Sequence, residues 1–110
     1  MKERRRHVRT KPDPSLPARA VRGIDALLKE SLEVIDISVG GMALVAPNIA
    51  TGAKMKLTLT LGSEIEHLVD VEVRWAAAGN IGVSFLDPPA AAAHAIQKYV
   101  SELLERGAAV

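Results

Sequence analysis

Apolar and polar residues alternate with a period of two along most of this chain. The clearest run is KMKLTLTLG at 54–62, where Met55, Leu57, Leu59 and Leu61 alternate with Lys56, Thr58 and Thr60. Such alternation predicts a strand with one buried face. In LVDVEVRW, residues 68–75, Val69, Val71, Val73 and Trp75 alternate with Asp70, Glu72 and Arg74. After the turn signal Gly79-Asn80, Ile81, Val83 and Phe85 alternate with Gly82 and Ser84. Upstream, SLEVIDIS at 31–38 is rich in β-branched residues and predicts another strand. MALVAP at 42–47 predicts a short one ended by Pro47, and residues 17–27 hold a weaker one. The paired glycines Gly40-Gly41 mark a turn or bulge between them.

The period then lengthens. From Asp87 to Gly107 the apolar residues Ile96, Tyr99, Val100 and Leu103 share one helical face. Asp87 is the expected cap, the prolines suit the first turn, and Gly107 is the expected stop. Five or six short strands followed by one helix predict an all-β fold: a small antiparallel barrel with the helix over an end or face. Residues 18–107 form this unit, with no internal repeat and no second domain. Residues 1–17 read as a flexible basic arm, because Pro12, Pro14 and Pro17 exclude a helix.

Composition narrows the chemistry. Trp75, Phe85 and Tyr99 are the only aromatics, so the core must be aliphatic. The absence of cysteine removes disulfides and thiolate chemistry. No apolar run is long enough for a membrane span, and no apolar stretch follows the charged start as in a signal peptide, so a cytoplasmic protein is expected. Charge is uneven. Residues 1–11 carry six basic groups against Glu3, whereas the other 99 residues carry eight basic and twelve acidic groups. A basic arm on an acidic body argues against a broad DNA or RNA surface.

Catalytic ingredients are missing. His7, His67 and His94 are not at metal-ligand spacing, and no nucleophile or phosphate-loop motif occurs. The pairs Glu64/Glu66, Asp70/Glu72 and Glu102/Glu105 read as solvated faces. The chain is expected to be neither an enzyme nor a carrier of a metal or cofactor.

Two local motifs exceed this background. One is RxxxR at Arg5-Arg6-His7-Val8-Arg9, and the other is DxSxxG at Asp36-Ile37-Ser38-Val39-Gly40-Gly41. Taken alone, the first reads as a solvated tail and the second as a strand-to-turn sequence. Together they suit a guanine nucleotide. A guanidinium fork matches the O6/N7 edge of guanine, and a carboxylate such as Asp36 accepts from its N1/N2 edge. Ser38, two residues on, leaves the same strand face as Asp36. Gly40 and Gly41 let a ligand approach the backbone. Spare guanidinium groups pair phosphates or stack on purines.

With ERRRHVR, DISVGGMAL and the VRW…GVSF pair, the sequence resembles the PilZ domain family. The resemblance spans most of the chain and implies a six-stranded antiparallel barrel with a C-terminal helix. It also implies binding of the bacterial second messenger cyclic di-GMP. Carried over by position, Arg5 and Arg9 are the paired arginines, and Asp36, Ser38 and Gly41 the fixed positions of the second motif. Arg4 and Arg6 lie outside the strict pattern: they support a second, stacked ligand or belong to a plain tail. With no companion domain in the sequence, it resembles a stand-alone member, a monomer or dimer signalling to a separate effector protein. The arm is expected to be mobile until ligand folds it across the Asp36 strand. Two further readings are a protein-interaction adaptor independent of nucleotide and nonspecific nucleic-acid binding by the arm.

Overall fold

In a computed structural model of the protein, residues 8–23, 27–62 and 65–107 are described. They form seven strands and a helix: β1 (Ala18–Gly23), β2 (Lys29–Leu32), β3 (Val34–Ile37), β4 (Gly41–Val45), β5 (Lys54–Leu61), β6 (Glu66–Ala77), β7 (Asn80–Leu86) and α1 (Ala90–Glu105). All pairings are antiparallel, in the order β2-β1-β5-β6-β7-β4-β3.

The segment expected as one strand, SLEVIDIS, accounts for the seventh. It pairs with β1 before Glu33 and with β4 after it. The Glu33 carbonyl accepts from the Val45 amide at 3.0 Å, so the chain stays in register with β4 across the bend. Two strands joined by a single residue thus stand at opposite ends of the sheet order. That connection draws the sheet into a nearly closed barrel, which leaves few exposed edges.

The core follows the alternation closely. Leu57, Leu59, Leu61, Val69, Val71, Val73, Ile81 and Val83 are buried, as the period of two requires. Trp75 breaks the expected pattern. The β6–β7 register shifts between Val73 and Trp75, so a bulge at Arg74 turns the indole outward. Trp75 is 42% exposed and lies over Gly82, its partner across the strands. A side chain at Gly82 would collide with the indole ring. The glycine in the strand therefore marks a close approach.

The helix buries Ala92, Ile96, Tyr99, Val100 and Leu103 against the barrel, the expected apolar face. Its start differs from the sequence reading. Pro89 occupies the N-cap without a side-chain bond, and Asp87 sits at φ +41°, turned away from capping geometry. At the other end Gly107, φ +76°, terminates the helix as expected.

The helix also holds the segment before β1. Tyr99 donates its hydroxyl to the Leu16 carbonyl at 2.6 Å, and Arg106 donates to Ser15 Oγ at 2.7 Å. Burial, reinforced by the negative charge of Asp13, pushes the Tyr99 phenol up to about 12 from an ordinary 10.0.

Two outcomes are expected. The fold holds neutral Tyr99 more tightly than the unfolded chain does, so its contribution is complete below pH 10 and lost as pH rises toward 12. Tyr99→Phe should cost about 1 kcal/mol at neutral pH and remove this alkaline loss, measured by thermal melts across pH. Gly82→Ala should keep the fold at a cost of about 1 kcal/mol, because the indole can swing outward. A red shift of Trp75 fluorescence checks it.

Candidate functional site

The site is built on β3, where strict alternation would fail. Val34 and Ile37 both enter the core, although they are three residues apart. The β3–β4 register shifts between Val34 and Asp36, so Ile35 is an extra residue that resets the phase. Ile37 is then fully buried, and its neighbours Asp36 and Ser38 face the outside of the barrel.

Ser38 organises the turn that follows. Its Oγ accepts from the amides of Gly40 and Gly41, both at 3.2 Å, and its own amide donates to the Gly41 carbonyl at 2.8 Å. The hydroxyl thereby folds the β3–β4 hairpin. The Gly40 carbonyl accepts from the Phe85 amide at 3.0 Å. At Gly41 a Cβ would drive into the Val83 carbonyl oxygen, so this position admits no side chain. Gly41 serves the packing of β4 on β7, a role the motif alone did not disclose.

Arg9 completes the cluster. Its guanidinium stands 3.5 Å from the Asp36 carboxylate, with side-chain exposures of 39% and 12%. Thr10 bridges Ile37 in antiparallel register, which puts Arg9 opposite Ser38. Arg9, Asp36, Ser38, Gly40 and Gly41 are thus brought together. Arg4, Arg5 and Arg6 lie outside the described residues. The segment assigned to the arm is described from Val8 onward, and Thr10 to Pro17 run along the barrel and α1.

The registers extend the site across the sheet. Asp36 pairs with Ala43, Ala43 with Gly82, and Gly82 with Trp75. A second row joins Gly41 to Ser84 and Ser84 to Glu72. Arg74 donates to Ser84 Oγ at 2.9 Å. The result is a strip floored by Gly41, Ala43 and Gly82, with Arg9 and Asp36 on one side and Arg74 and Trp75 on the other. At one strand spacing per step it is about 14 Å wide. The alternation put Trp75 in line with Val69, Val71 and Val73 and so missed it here. The signal was Gly82, a small residue inside a strand whose neighbours are large.

Among the described residues no cluster of His, Asp or Glu is arranged to hold a metal ion. No helix among them is long and apolar enough to cross a membrane.

Comparison with known proteins places the fold. Among solved structures, the PilZ domain of Escherichia coli YcgR with c-di-GMP superposes with a TM-score of 0.73 at 15% identity, covering 96% of this chain and 95% of that one. K. pneumonia MrkH in complex with c-di-GMP gives 0.79 at 19% identity, with 97% of this chain matched to 55% of MrkH. The Bacillus subtilis inhibitor of motility MotI/DgrA gives 0.68 at 19% identity, covering 96% and 54%. The chain therefore spans about half of these last two proteins. No curated protein sequence matches significantly. The PilZ domain family itself matches residues 3–102. With that match running from before the first arginine motif into α1, the chain belongs to the PilZ domain family.

Proposed function

We propose that this protein is a receptor for cyclic di-GMP that changes conformation on binding and signals to a separate effector protein. The observation that carries this reading is Arg9 beside Asp36 at 3.5 Å on an outward strip with a floor of small residues. The carboxylate accepts from guanine N1–H and N2–H, and the guanidinium fork donates to an O6/N7 edge or to a phosphate. Trp75 offers a purine a flat face for stacking. Gly82 lets the indole lie flat on the sheet, and Gly41 lets β4 close on β7, so both hold the frame of the site.

In the free protein Arg9 leans on Asp36. The guanidinium is partly exposed, the carboxylate is largely covered, and at 3.5 Å the contact between them is long. Ligand replaces it at little cost: guanine N–H groups take the carboxylate, and the guanidinium turns to the nucleotide. Two phosphates call for more positive charge than Arg9 carries. Arg5 supplies it, with Arg4 and Arg6 available for a second stacked molecule. The N-terminal arginines closing over the strip constitute the conformational change. Support comes also from the presence of c-di-GMP in the YcgR and MrkH structures. The motility-inhibitor neighbour favours a motility output.

Calorimetric titration tests the central claim. Wild type should bind cyclic di-GMP, with quenching of the single tryptophan. Arg5→Ala and Arg9→Ala should each weaken binding at least tenfold while a cooperative thermal melt shows that the fold is kept. A random oligonucleotide should not compete. No binding at tens of micromolar ligand would sink the receptor reading and leave the nucleotide-independent adaptor. A pull-down with and without cyclic di-GMP then identifies the effector.

A further inference from the structure

We infer that Thr10 is a positioning residue for this site: its bonds to Ile37 hold Arg9 within reach of Asp36. The inference rests on the receptor reading above and adds a residue outside both sequence motifs. Thr10 is completely buried, and it and Asp36 are the two buried polar or charged residues among those described. Its amide donates to the Ile37 carbonyl and its carbonyl accepts from the Ile37 amide, both at 2.8 Å. Its Oγ1 donates to the same Ile37 carbonyl at 2.8 Å. That oxygen therefore accepts two bonds from one residue.

The consequence for Arg9 is geometric. Ile37 is locked in the core, so Thr10 is an inward-facing residue of a short strand segment on the β3 edge. Alternation sends Arg9, the next residue toward the N-terminus, to the outer face with Asp36 and Ser38. The segment is secured again only a few residues on, where Tyr99 grips the Leu16 carbonyl and Arg106 donates to Ser15. Arg9 thus projects from an anchored backbone, and its ordering on the ligand carries less entropic cost than that of an arginine on a free tail. The hydroxyl fixes the anchor without being needed for satisfaction of the backbone. Without it, the Ile37 carbonyl keeps the Thr10 amide as a partner.

Thr10→Val preserves shape and removes only the Oγ1 bond. Full-length protein should bind cyclic di-GMP about three- to tenfold more weakly in this variant, the range expected from loss of one hydrogen bond. Thr10→Ser, which keeps the hydroxyl, should stay within about twofold of wild type. The decisive comparison adds Arg9→Lys, which retains charge without the fork. If Thr10 acts through Arg9, Thr10→Val in that background should change affinity by less than about twofold. An equal loss in both backgrounds, or none in either, would overturn the inference while the receptor reading stands. Silence of the wild type would overturn both. Amide exchange of ligand-free wild type supplies a measurement independent of the variants. Thr10 and Ile37 amides should be protected, and free exchange at either rejects the anchor.

Discussion

Val34 and Ile37 must both be buried, and two residues lie between them. A strand of strict alternation cannot satisfy that, so Ile35 bulges out of the ladder. The same step turns Asp36 from the inner face to the outer one. A carboxylate that alternation would have sunk in an aliphatic core becomes the acceptor of a surface site, with Arg9 beside it. Without the bulge, Asp36 would point into the aliphatic core at a large desolvation penalty; with it, the carboxylate is still largely covered but has Arg9 beside it. Packing of the core and the outward turn of the acidic group are therefore one event.

A second bulge does the same for the far side of the strip. At Arg74 the β6–β7 register shifts, and Trp75 leaves the line of Val69, Val71 and Val73. In a chain with three aromatic residues, the only indole is spent outside the core. Gly82 beneath it makes room for the indole, and Gly41 makes room for the Val83 carbonyl. Two one-residue irregularities thus set a carboxylate and an indole on the same outer face, about three strand spacings apart.

The segment leading to β1 links the site to the helix. It is pinned to β3 at Thr10 and to α1 at Ser15 and Leu16. Any displacement of β3 against α1 would strain this short span, because interfaces of packed elements shift between discrete arrangements rather than deform smoothly. Arg9 lies at the site end of that span and Tyr99 at the helix end, with Tyr99 buried where its hydroxyl has a partner.

Much of the architecture was legible in the alternating runs of β5, β6 and β7, the helical period after Asp87, and the glycine turns. These are local consequences of backbone periodicity, and the residues that build each element are adjacent in the chain. The paired motifs likewise named Arg9, Asp36, Ser38 and Gly41 as belonging together. What periodicity could not reveal were its own interruptions. The division of one predicted strand at Glu33, the outward turns of Asp36 and Trp75, and the burial of Thr10 each depend on a partner strand distant in sequence. Asp87 failed as a cap for a local reason: its backbone sits at φ +41° and the N-cap falls two residues later, at Pro89. The sequence by itself determined which residues are apolar and how they repeat. Only the tertiary structure decided where the repeat gives way, because barrel closure and core packing are satisfied across strands rather than along them.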